Sequence, residues 1–341
     1  MPKDNEIIHL PLDGPVKPSE PLGFAPEEMI RCEECLRANP PTRFACLYCE
    51  APLPASESTA HLRKLTLKQP EKYQPGFNCI LVHNPDLVPH KDSIEKAAEL
   101  LKLAPETVER IVALQMPMPL ARTAKREEAL LVNERLRDLG FSTVILSDED
   151  LGRPDHAVIR IRSLQFEESH LRLYQAGGKK EFDVAWSELY LVVSGRLVVQ
   201  SVELLERVSR RTENEILDTS QFFFDEQVLD LYSSLHEETW RIGTTSFDFS
   251  CLQEQKSLIA VENLKKLHDL ILSKRPGLQL DTTYDELKSI LQPMWPSEQE
   301  THSRGWKRER PGKYSLGAVT ANSNESQFTR YSRLRRHFAT K

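Results

Sequence analysis

The chain has 341 residues, room for two or three domains of ordinary size. Hydrophobic content of 39% is low for a fully globular chain, and a formal charge of −6 singles out no particular class of partner. The N-terminus lacks a basic start followed by an apolar run, and no stretch reaches the ~20 apolar residues of a membrane span; the sequence predicts neither a secretory signal nor a spanning helix and points to a cytoplasmic protein.

Residues 1–27 carry six prolines and no periodicity, and read as a disordered start. Residues 28–55 hold four of the six cysteines as two CxxC pairs, Cys32/Cys35 and Cys46/Cys49, separated by ten residues. A CxxC lets two sulfurs reach one ion from a tight turn, and ten residues suffice to bring a second turn to the same ion. In a reducing compartment such thiols are metal ligands rather than disulfides, and Zn2+ in a closed, structural site is the expected cofactor. So short a segment cannot bury enough surface to fold alone, so the metal would supply its folding energy. The pattern CxxC-x3-Asn39-Pro40…Phe44…CxxC…Pro52-Leu53 resembles short zinc ribbons, and its Asn spacing is similar to that of the NZF fingers. Such ribbons carry glycine after each pair, where the turn needs positive φ; Leu36 and Glu50 stand there in this chain.

Residues 56–74 read as a polar, basic linker. From 75 to 152 the order is strand, two helices, a short Pro-containing strand, a helix and a last strand. FNCILVH is the first strand; helices are predicted over 92–103 and 105–114, with Pro105 at a helix start, and over 125–139, where Gly140 is a C-cap. FNCILVHNPD…AAELLKL…KREEALLVNERLRDLGFSTVIL is similar to the α/β fold shared by the ClpS protease adaptor and the C-terminal domain of the ribosomal stalk protein. In ClpS an Asn-Asp stretch after the first strand holds a client peptide, so the resemblance implies peptide binding at Asn84 and Asp86.

Residues 153–296 alternate apolar and polar in short runs, with Gly177-Gly178 as a hairpin turn, and end in helices at 256–272 and 283–291. Antiparallel strands followed by a helix resemble a pleckstrin-homology-like roll. Trp186, Phe222–Phe224, Tyr232, Trp240, Phe247 and Phe249 are expected to fill its core. Residues 297–341 hold ten Lys or Arg against four Glu and read as a disordered basic tail. The predicted fold class is therefore multidomain α+β: a zinc ribbon, an α/β sandwich, then an antiparallel β-roll capped by a C-terminal helix.

No nucleophile–base pair, H-E-x-x-H, phosphate loop or dinucleotide fingerprint occurs, so the sequence points away from an enzyme. The expected function is that of a zinc-binding adaptor or scaffold for protein or peptide partners. The alternative is an RNA- or ribosome-associated protein that uses the ribbon and the tail residues Arg330, Arg333, Arg335 and Arg336; an unrecognised enzyme is the third reading.

Overall fold

A computed structural model describes residues 24–54, 67, 70, 74–151, 158–177, 180–208, 215–310 and 313–339, with backbone alone over 204–208, 215–218, 303–310 and 313–317. The expected disorder of the first residues, and most of the 56–74 linker, fall outside this set. The chain divides into two compact units, Met1–Lys64 and Leu65–Lys341. Among the described residues no helix is long and apolar enough to cross a membrane.

The first unit contains strands β1 (Ile30–Arg31) and β2 (Ala38–Asn39), paired antiparallel, and an isolated bridge between Ala45 and Pro52.

The second unit begins with β3 (Phe77–Leu81), α1 (Lys91–Leu101), α2 (Pro105–Ala113), β4 (Met118–Thr123), α3 (Arg126–Asp138), β5 (Thr143–Ser147) and the single turn α4 (Asp148–Leu151). This is the order read from the periodicity. β3 lies between β4 and β5, antiparallel to both. Pro105 opens α2 because its missing N–H is one the first turn leaves unpaired anyway. Ile94, Ala97, Ala98 and Leu101 of α1 and Val132 and Leu136 of α3 fall at helical spacing and are buried against the sheet.

The remainder is one large mixed sheet with β6 (Val158–Phe166), β7 (His170–Gln175), β8 (Glu181–Ala185), β9 (Leu189–Val208), β10 (Glu215–Ser233), β11 (Thr239–Gly243), β12 (Gln279–Asp281), β13 (Glu298–Arg310) and β14 (Lys313–Ser323). The order is β13-β14-β9-β10-β11-β6-β7-β8, with β12 on β9. Most neighbours are antiparallel, as a roll requires, but β11 runs parallel to β6 and β12 parallel to β9. Helices α5 (Ala260–Lys274), α6 (Tyr284–Leu291) and α7 (Glu325–Phe338) complete the unit. α5 starts four residues later than the periodicity suggests, because the Asn263 side chain binds both the N–H and the carbonyl of Ser257 and holds 257–259 as a turn. Leu258 consequently points into solvent.

Two corrections follow. Residues 297–341 are not a disordered tail, nor does the folded part end at Pro296. β13 and β14 extend the sheet, and α7 buries Phe328, Tyr331 and Leu334 completely. Each such burial is worth about 1.5–3 kcal/mol, which overcomes the low overall hydropathy of an arginine-rich segment. Gly195 on β9 makes room for this helix: a Cβ there would lie 2.4 Å from the Phe328 ring. The second correction concerns aromatics. Trp186, Tyr232, Trp240, Phe247 and Phe249 are buried as expected, but Phe222, Phe223 and Phe224 are 55%, 68% and 47% exposed.

One core joins the segments on either side of residue 152. Residues of β3, α1, α2, β4, α3 and β5 share a hydrophobic cluster with Leu191, Val193, Val228, Leu291, Trp295 and Phe328. A buried polar chain fastens the same junction. Trp295 Nε1–H donates to Asn78 Oδ1 at 2.8 Å, Asn78 Nδ2 donates to Asp148 at 2.9 Å, and Arg122 donates to Asp148 at 2.5 Å. Gln327 of α7 donates to the Trp295 carbonyl at 2.6 Å. The opposite face of β9 and β10 turns Val192, Leu229 and Leu231 into a second core beneath α5, following the two-residue alternation of a strand.

Candidate metal centre and an apolar pocket

The two CxxC segments fold as a repeated turn. In the first, Leu36 N–H donates to the Cys32 carbonyl at 2.9 Å and Cys32 N–H to the Arg37 carbonyl at 3.0 Å. In the second, Glu50 N–H donates to the Cys46 carbonyl at 3.1 Å and Cys46 N–H to the Ala51 carbonyl at 2.8 Å. Both turns close through a left-handed residue, Leu36 at φ 59° and Glu50 at φ 61°. These are the positions where glycine is usual, so the backbone demand survives the change of residue.

The turns bring the four sulfurs together. Cys32 Sγ lies 3.5 Å from Cys49 Sγ and Cys35 Sγ 3.4 Å from Cys46 Sγ, with all four within 4.8 Å of one another. A disulfide requires about 2.05 Å. With metal–sulfur bonds of about 2.3 Å, a tetrahedron has edges near ~3.8 Å, which matches this spread. The four cysteines can hold one metal ion. Cys32 and Cys46 are buried, Cys35 is half-buried and Cys49 is exposed.

Asn39, fully buried, ties the two turns together. Its Nδ2 donates to the Arg37 carbonyl at 2.9 Å and approaches Cys46 Sγ at 3.4 Å, and its Oδ1 accepts the Leu47 N–H at 2.8 Å. Burial acts to raise the Cys46 pKa. The amide N–H groups of Tyr48 and Cys49, the Cys35 thiol and the Asn39 carboxamide outweigh it and bring the thiol down to about 6. Cys49 goes the other way. The Ala51 amide acts to lower it, but burial and the three neighbouring thiols push it up to about 12. One thiolate thus forms readily and penalises the next, and a divalent cation removes that penalty. On the ribbon surface the Arg37 guanidinium sits 4.6 Å from the centre of the Tyr48 ring.

In the second unit, the end of β3 and the loop after it form a pocket with the C-terminal end of α2. Leu81, Leu87, Val88, Val112 and Met116 supply apolar wall, and His83, Asn84 and Gln115 supply polar groups. Leu87 and Val88 are 44% and 68% exposed, a sizeable apolar surface for a loop. The structure brings Asn84 to this pocket and leaves Asp86 exposed outside its lining. Asn84 also shapes the loop: its Oδ1 accepts the Asp86 N–H at 3.0 Å and its carbonyl accepts the Leu87 N–H at 3.1 Å. The apolar pocket residues were missed from sequence. Their signal was the Leu87-Val88 pair inside a polar loop and Met116 immediately before the helix-breaking Pro117.

The four arginines singled out for RNA are not a free basic patch. They lie on α7, all half-buried. Arg335 pairs with Asp281 at 2.5 Å, and Arg336 donates to the carbonyls of Glu237 and His236 at 2.5 and 3.1 Å. Arg330 lies 4.0 Å from Glu298, and burial lowers the pKa of both Arg330 and Arg333.

No protein-family model matches the chain, and no curated protein or solved structure matches it significantly.

Proposed function

We propose that the protein is a non-enzymatic adaptor, with a structural Zn2+ on Cys32, Cys35, Cys46 and Cys49 and a peptide- or protein-binding pocket between the β3 loop and α2. The observation that carries the binding role is the pocket: exposed apolar side chains converge on a concavity edged by His83, Asn84 and Gln115, the composition of a site that takes an apolar side chain and orients the backbone beside it. The strand–helix–helix–strand–helix–strand order, similar to that of ClpS, supports the same reading, since the client-holding stretch there follows the first strand. Four convergent thiols favour zinc because thiolates suit a borderline-soft ion in tetrahedral geometry.

The test uses the zinc-loaded full chain and an immobilised peptide array. Array binding is expected to fall about tenfold or more in Met116→Lys, which places a charge in the apolar wall. Equal binding by the variant would remove the pocket from the proposal. Metal analysis is expected to return one zinc per chain, lost on Cys46→Ser.

A further inference from the structure

The face of β9 that buries Val192 beneath α5 changes character further along the strand. Alternation puts Val198 and Gln200 on that same face. The register sets Gln200 opposite Phe223 of β10 on one side and Asn322 of β14 on the other, with Gln299 of β13 opposite Asn322. Directly opposed residues of antiparallel strands share a face, so Gln299, Asn322, Gln200 and Phe223 form one row across four strands, about 14 Å long at ordinary strand spacing. Gln299 and Asn322 are exposed, Gln200 is half-buried, and the Phe223 ring at the end of the row is 68% exposed. Among the described residues none of the three carboxamides has a hydrogen-bond partner.

Beside the row, α6 closes a cavity of about 300 Å³, to which Val198, Gln200 and Asn322 contribute from the sheet, Lys288 and Ser289 from the helix, and Gln292 from just beyond it. Its walls are held in place. The buried Asn324 accepts the Val198 N–H on Oδ1 at 2.7 Å and donates from Nδ2 to the Arg196 carbonyl at 3.0 Å. The Gln292 Oε1 accepts the Ser297 N–H at 3.3 Å and the Gln327 side-chain N–H at 3.2 Å, which fixes the carboxamide plane and leaves its Nε2 without a partner among the described residues.

The lining decides the class of ligand. It holds no carboxylate, so a metal cation has nothing to bind. Its one charged group, Lys288, lies 3.9 Å from Asp285, and Arg196, on the same face, is taken up by Asp225 at 2.6 Å. That leaves too little free positive charge for a phosphodiester backbone. Val198 is the one apolar side chain of the lining, against the series of apolar pockets that an extended peptide needs. A carboxamide offers two donors and an acceptor in one plane, and a hydroxyl both donates and accepts. Carboxamides in a row that ends at a flat aromatic ring therefore match a chain with hydroxyls along its edges and C–H groups on its face.

We infer that the cavity between α6 and the β9–β14 face, with the row that runs from it to Phe223, is a binding site for a neutral oligosaccharide. One sugar unit enters the cavity and exchanges hydrogen bonds with Gln200, Asn322 and the free Nε2 of Gln292, and a neighbouring unit lays its C–H face on the Phe223 ring. This site is separate from the β3–α2 pocket and stands or falls independently of it.

The probe is a printed array of neutral hexose and N-acetylhexosamine glycans together with uronic-acid and phosphorylated ones, read with the full chain. Calorimetric titration with the free form of the best-bound saccharide follows. Binding to neutral glycans is expected, with an affinity that added salt leaves unchanged. Gln200→Ala combined with Asn322→Ala removes two carboxamides that bond nothing in the protein; it is expected to weaken binding by about tenfold or more with the thermal midpoint nearly unchanged. Phe223→Ala is expected to weaken it about threefold through the lost stacking surface. An array without a bound neutral glycan overturns the inference, as does binding confined to acidic or phosphorylated ones. Undiminished titration by the double variant also overturns it, and a lowered thermal midpoint of that variant means that the carboxamides serve the fold. Salt-sensitive binding of an oligouridine that is lost in Phe223→Ala would make the face a nucleic-acid platform instead.

Discussion

Leu36 and Glu50 hold the two cysteine turns in a left-handed conformation that costs a residue with a Cβ roughly 1–2 kcal/mol. Leu36 is 72% exposed and buries little. Leu36→Gly and Glu50→Gly are therefore expected to stabilise the ribbon by about 1 kcal/mol each, net of the entropy glycine adds to the unfolded chain. Competition with a zinc chelator checks this: the variants should need several-fold more chelator for half release, because metal binding and folding of so small a module are one equilibrium. Easier release would mean that the two side chains contribute contacts the backbone argument omits.

At the scale of elements, Asp148 links β3, β4 and α4. It accepts from Gly76 N–H at 2.9 Å, from Asn78 and from Arg122. Burial acts to raise its pKa, but the hydrogen bonds from Arg122 and Asn78 and the charge of Arg122 hold the carboxyl below its ordinary value. A depressed folded-state pKa contributes stability that is fully present above the unfolded pKa of about 3.9 and is lost as pH falls through the folded value. Asp148→Asn should cost roughly 2–4 kcal/mol at pH 7, since it leaves the nearly buried Arg122 without its counter-charge. Urea unfolding of parent and variant should show the gap narrowing as the pH drops below about 4. A gap constant with pH would mean that the carboxylate acts by shape alone.

For the whole molecule, the common core predicts that residues 297–341 cannot be removed. A chain ending at Pro296 loses β13, β14 and α7, exposes Gly195 and the apolar face of β9, and leaves the Trp295 carbonyl without Gln327. Its circular dichroism is expected to lack a cooperative thermal transition for the 65–296 portion. A truncated chain with the parent's midpoint would refute the claim that α7 is integral.

The sequence by itself determined what is local. Four cysteines at CxxC spacing specify a turn-held cluster wherever the rest of the chain goes, and the helices of 91–138 follow from 3.6-residue periodicity and from Pro105 and Gly140. Asn84 was legible as a loop residue, but not the apolar wall around it, which is built from segments thirty residues apart. The tertiary structure alone decided the fate of the C-terminal segment and of the three phenylalanines. In α7 the apolar triplet Phe328, Tyr331 and Leu334 is diluted by arginines, and partners distant in sequence, among them Asp281, Glu298 and the backbone carbonyls of 236–237, make their burial tolerable. Phe222–Phe224 have the composition of a core strand, yet whether a strand is central or at an edge depends on its neighbour. Here β11 ends at Gly243 and reaches no further along β10 than Val228, so the rings beyond it are left in solvent. Periodicity records how a segment can fold; which of its faces and edges find a partner is set by contacts between residues far apart in the chain.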